Sequence, residues 1–149
     1  MTSGSLSVRV VDALTQVNPR AAHNAETLCQ IITPVGMLGY GFDESLTKQA
    51  LGSLKESPAP TALVLDSGST DGGPLKLATG SMTAPRSAYE RDFAKLLSLS
   101  HEFHVPVIIS SAGGDGSDAH VDEFLDIIKE IVRDVRNEYA LLSQYDSVP

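Results

Sequence analysis

At 149 residues the chain has the length of one ordinary domain, enough to bury roughly two-thirds of its unfolded surface without disulfides or metals. An apolar share of 42% beside 20% charged residues argues against a disordered or fibrous chain. The net charge of -8, with no Lys/Arg cluster, argues against nucleic acid and anionic membrane as partners, and the single cysteine, Cys29, rules out an internal disulfide.

Residues 1–27 read as an N-terminal extension with a short strand at 8–11 and a polar region around Asn18, Pro19 and Asn24. Arg9 and Asp12 interrupt the only early apolar stretch, unlike a signal peptide, and no run approaches the ~20 apolar residues that span a bilayer. A cytoplasmic location is the expectation. Cys29 reads as a small buried apolar residue.

The α/β domain is expected over 28–137. Residues 28–33 form an apolar run of strand length that Pro34 ends, because proline removes a ladder donor. A glycine-rich loop leads to Asp43, a helix cap, and Leu46, Ala50 and Leu54 recur four apart on one helix face. The run 61–65 is almost wholly apolar, as in a buried parallel strand, and delivers Asp66 to its carboxyl end. A long Gly/Ser/Thr-rich loop follows to about Ala84. Pro85 then starts a helix over 86–103, with Phe93, Leu96, Leu97 and Phe103 inward. A third strand covers 105–109, and a second glycine-rich stretch ends at Asp118, read as the cap of a helix. That helix carries Val121, Phe124, Leu125, Ile128, Ile131, Val132 and Val135 on one broad core face, with Asp122, Asp126, Glu130 and Arg133 solvated. Residues 138–149 read as a polar tail.

Repeated strand, glycine loop and helix units predict an α/β fold: a three-layer, small doubly wound, mostly parallel sheet of three or four strands with flanking helices. In such sheets ligands bind at the carboxyl ends of the strands, where loops and helix N-termini converge. Gly36, Gly39 and Gly41 suit close approach of backbone to an anion, but their GxxGxG order matches neither the dinucleotide nor the P-loop fingerprint. Asp66, Ser69, Thr70 and Asp71 combine carboxylates with hydroxyls, suited to a base, a substrate grip or a divalent cation such as Mg²⁺. Equally, Asp66 alone can close a turn. Ser111, Gly113, Gly114, Asp118 and His120 bring hydroxyl, amides, carboxylate and imidazole to the last helix start. Four carboxylates on this rim, Asp66, Asp71, Asp115 and Asp118, would repel a free phosphate unless a cation or Arg86 compensated. His23, His101 and His104 lack convergent spacing and read as surface residues.

Gly36-Met37-Leu38-Gly39-Tyr40-Gly41-Phe42, Asp66-Ser67-Gly68-Ser69-Thr70-Asp71-Gly72-Gly73-Pro74 and Ser111-Ala112-Gly113-Gly114-Asp115-Gly116-Ser117-Asp118-Ala119-His120 resemble motifs of the acyclic terpene utilisation (AtuA-like) family. The likeness covers about residues 33–135 and corresponds to the N-terminal portion of longer proteins. It differs at Ser67 and Gly72, where the family more often has Ala and Pro. The resemblance implies a catabolic setting with a small carboxylate or acyl-CoA substrate. It also implies a homo-oligomer or a further C-terminal domain supplied by another chain.

Two functional expectations follow. One is a lyase, hydratase or isomerase acting on a hydroxy-acid or acyl(-CoA) substrate, with Asp66, Asp71 and His120 catalytic. Gly36, Gly39, Gly41, Ser69, Thr70, Arg86, Ser111, Gly113, Gly114 and Asp118 would then hold the substrate. The other is a shortened, non-catalytic ligand-binding or partner domain of the same family. A weaker likeness of residues 65–70 to the first phosphate loop of the actin and sugar-kinase superfamily lacks the β-hairpin that loop requires.

Overall fold

The computed structural model describes residues 7–12 and 27–145, with side chains described over 27–136. The elements are β1 (Ser7–Asp12), β2 (Thr27–Thr33), α1 (Glu44–Leu54), β3 (Thr61–Asp66), α2 (Gly73–Thr79), α3 (Arg86–Phe103), β4 (Val107–Ser110) and α4 (Asp118–Tyr145), with a 3₁₀ turn at Ala112–Gly114. All strand pairs are parallel and the order is β1-β2-β3-β4. The polar segment around Asn18, Pro19 and Asn24 lies outside the described residues, as does His23. The early strand belongs to the sheet itself, with Val10 in register with Ile31.

The parallel α/β architecture with flanking helices is therefore as the sequence indicates. Strand order is consecutive, and right-handed crossovers in one direction carry their helices to one face. Burial agrees: Ile32, Leu63 and Leu65 are buried and share one core with Leu51 of α1, Phe93 and Leu96 of α3, and Phe124 and Ile127 of α4. The residues of opposite parity, Cys29, Ile31, Ala62 and Val64, are only half-buried, and Ile108 is 55% exposed. Cys29 is thus not the buried residue its type suggested.

Local chemistry explains the elements. Asp43 caps α1, its Oδ1 accepting from the Leu46 amide at 3.0 Å. Thr47 and Leu51 are the buried anchors of that helix, while Leu46 is exposed. The Gln30 amide nitrogen, Nε2, donates to the Ala59 carbonyl at 3.1 Å, tying the turn after α1 to β2. The long loop after β3 contains a helix that the sequence pattern missed, α2, which begins beside Pro74 and ends at the left-handed Gly80. Pro85 stands just before α3 rather than inside it, and β4 begins two residues later than expected.

Tyr89 and Phe93 meet Phe124 with ring centroids 4.8 and 5.0 Å apart, and these contacts dock α4 onto α3. α4 corrects two expectations. Its helix runs through the supposed tail to Tyr145, and its broad apolar face is only partly core. Phe124 and Ile127 are buried, whereas Val121, Leu125, Val132 and Val135 are 41–45% exposed. Among the described residues no helix is long and apolar enough to cross a membrane.

Candidate functional site

Parallel pairing puts the loops after β2, β3 and β4 on one rim, and the loops touch. The Leu38 amide donates to the Asp66 carbonyl at 2.8 Å, and the Ser67 amide donates to the Ser110 carbonyl at 3.0 Å. Gly68 lies so close to the third loop that a Cβ there would stand 2.6 Å from the Gly114 carbonyl oxygen. Gly114 in turn leaves no room for a side chain against Thr83, 2.2 Å from where its Cβ would be, at a φ of +119°.

The first glycine loop does hold an anion, and the anion belongs to the protein. The amides of Gly39 and Gly41 donate to Asp92 Oδ2 at 2.8 and 3.0 Å. Arg91 Nε donates to the other oxygen at 2.9 Å. Asp92 is fully buried, at 0% exposure, on the core side of α3. Gly39 and Gly41 have φ of +100° and +83°, which lets both amides turn to one carboxylate. Gly36 stands apart, exposed and with open space around it.

Asp66 closes its own loop. Its Oδ1 accepts from the Ser67 amide at 2.8 Å, the Gly68 amide at 3.1 Å and the Ser110 hydroxyl at 3.0 Å. Burial pushes its carboxyl up, but the bonds from Gly68, Ser110, Ser67 and Ser111 together outweigh it and hold the group below the usual carboxylate range. The three bonds to Oδ1 make Asp66 the acceptor that closes the turn after β3. Ser69 Oγ accepts from the Gly72 amide at 3.1 Å, supporting the start of α2. Ser69, Thr70 and Asp71 are exposed.

His120 sits in the first turn of α4 and is buried. Its Nδ1 is 2.8 Å from Asp115 Oδ1, and its Nε2 is 3.4 Å from the Gly80 carbonyl oxygen. The short contact to a carboxylate requires a hydrogen on Nδ1. Gly113, with φ of +66°, lies flat against the ring, where a Cβ would come 2.5 Å from Cγ. The Ser117 amide at 2.8 Å, together with the Ser117 hydroxyl and His120, holds Asp115 below its usual range despite burial. Asp115 Oδ2 and Ser67 Oγ are buried without a hydrogen-bond partner.

Two assigned roles change. Asp118 is the exposed first residue of α4 and not its cap; the Ser117 carbonyl accepts the amides of His120 and Val121. Arg86 does not face the loops as a free cation. Its guanidinium donates to Glu90 at 2.9 Å, to Glu123, and to Glu130 at 2.7 Å, clamping α3 to α4. The bonds to Glu130 and Glu123 push its proton affinity further up.

Ser111 is exposed in the left-handed region, with φ of 53°. Lys76 of α2 was not among the expected residues. It lies beside Gly114, and its Nζ donates to the Met82 carbonyl at 3.3 Å, giving this rim an ammonium. Among the described residues no three of His, Cys, Asp and Glu come together as a metal-binding group, so the divalent-cation expectation finds no ligand set there. A recess of about 440 Å³ occupies the opposite, amino-terminal rim, lined by Leu51, Leu54, Ala59, Phe103, Val105 and Pro106 among others. No family model, curated protein or solved structure matches the chain.

Proposed function

We propose that this chain is a ligand-binding or partner domain without turnover of its own, taking a small carboxylate or acyl-CoA compound as the AtuA-like resemblance implies. One observation carries the reading: at the loop rim, the groups suited to catalysis are bonded to one another. Asp92 fills the Gly39 and Gly41 amides, Ser67, Gly68 and Ser110 fill Asp66 Oδ1, and Asp115 holds His120. Donors facing outward are those of Ser69 and Thr70, with Lys76 nearby for a carboxylate.

Calorimetric titration with short carboxylic acids and acyl-CoA esters, with and without Mg²⁺, tests this, followed by turnover assays on every binder. Binding that Lys76→Ala weakens, with no product formed, supports the proposal. Turnover lost in His120→Gln would establish the second reading, a lyase, hydratase or isomerase. The specific observation favouring that second reading is the Asp115–His120 pair, in which a carboxylate orients an imidazole for proton transfer.

A further inference from the structure

Along α4, Val121, Leu125, Ile128, Val132 and Val135 follow one another at intervals of four, three, four and three residues, the spacing of a two-helix seam. In the sequence the same spacing continues at Tyr139 and Leu142. This row is distinct from the core row of Phe124 and Ile127. Val121, Leu125, Val132 and Val135 are each more than two-fifths exposed, and Ile128 is partly buried at the boundary between rows. Exposed apolar residues in single file over about 21 Å of helix are costly to leave in water, and a second helix covers such a row.

The charges beside the row say which helix. Its outer flank carries Asp122 and Asp126 in the amino-terminal half, then Lys129, Arg133 and Arg136 in the carboxyl-terminal half, all exposed. An antiparallel second copy of α4 sets acid against base along this flank. One alignment brings Leu125 opposite Val135 of the second copy and Ile128 opposite Val132. That same alignment sets Asp122 against Arg136 and Asp126 against Arg133. Lys129 falls near the two-fold axis, where Asp126 of its own helix already holds it at 3.1 Å. A parallel pair would instead put the two copies of this flank on opposite sides of the seam, where its acids and bases do not meet.

We propose that α4 is a self-association helix, and that the chain forms a two-fold dimer through an antiparallel α4 pair. The seam adjoins the core row, so the partner helix lies against the same side of α4 that begins the domain core. The surface is separate from the loop rim and does not depend on the ligand-binding reading.

The test uses the full chain in sedimentation velocity and light scattering. The wild type is expected to be dimeric. Leu125→Glu is expected to weaken association at least a hundredfold while far-UV circular dichroism stays close to wild type, because the side chain is exposed in the single chain. Arg136→Glu is expected to weaken it about three- to tenfold, with Asp122→Lys in the same chain restoring it. For orientation, Leu125→Cys and Val135→Cys are made separately with Cys29→Ser. Disulfide-linked dimers should form when the two variants are mixed and not from either alone. A wild type that is monomeric at all concentrations, or a dimer that survives Leu125→Glu, overturns the proposal. Crosslinking of either variant alone overturns the antiparallel pairing.

Discussion

Replacing Asp92 by alanine should be the most damaging single change to the loop rim that leaves no steric conflict. The carboxylate takes two backbone amides at 2.8 and 3.0 Å from a fully buried position. Hydrogen bonds to charged groups contribute about 1.5–3 kcal/mol each, so the pair is worth about 3–6 kcal/mol. Gly39 and Gly41 are themselves only half-buried, and water can recover part of this, which sets the expected loss at about 3 kcal/mol. For a domain of this length that is roughly 6–12 °C in Tm. Asp92→Asn retains an oxygen for both amides and turns its NH₂ toward the exposed Arg91, so it should lose only about 1 kcal/mol. Urea unfolding followed by circular dichroism at pH 7 separates the two. Equal losses in both variants, or a loss below about 1 kcal/mol in the alanine variant, would refute the assignment of Asp92 as the loop's anion. As a complement, formate at about 0.1 M should raise the Tm of Asp92→Ala and leave the wild type unchanged.

Gly113→Ala should cost more than about 3 kcal/mol, since it adds left-handed strain to a displaced imidazole; the His120 ring resonances should shift with it. Gly52→Ala, mid-helix and with open space around it, should instead stabilise by about 0.5–1 kcal/mol in the same urea assay. Asp66 and Asp115 are both held below the ordinary carboxylate range, so the folded state binds fewer protons than the unfolded state as acid is added. Their contribution is complete above about pH 5 and is lost as pH falls through the folded values, below about pH 4. Asp66→Asn should therefore flatten the acid limb of a stability-against-pH curve. Phe124→Ala should cost about 3–5 kcal/mol by opening the contact with Tyr89 and Phe93, measured by thermal unfolding.

The strands and α3 were legible because their signals are local. The runs before Pro34 and after Pro60 are apolar and proline-bounded, and the 86–103 helix carries a clear period. α2 has no buried residue, so there was no periodic stripe to find within a Gly/Ser-rich stretch. The first glycine loop is legible as backbone suited to an anion, and Gly39 and Gly41 turn their amides to one carboxylate. The identity of that anion required pairing residue 39 with residue 92, which no local pattern encodes. One signal was available: Asp92 stands among Tyr89, Phe93, Leu96 and Leu99 on the apolar stripe of α3, where a carboxylate needs a partner. The apolar face of α4 was legible as amphipathic, but its breadth could not tell core from surface, because only packing against α3 divides the two rows. Arg86 could be seen as a cation, while its three glutamates lie on two helices.

The consecutive strand order has a consequence for how the chain assembles. Each strand joins the one that precedes it in the chain, so no segment has to be threaded between two others already paired. Loop-closure entropy is then met in successive modest steps. Assembly can begin at β2 with β3 or at β3 with β4 and extend outward, as in a stack of modules. A chain started after β1 should thus keep the β2-β3-β4 register and its helical cover.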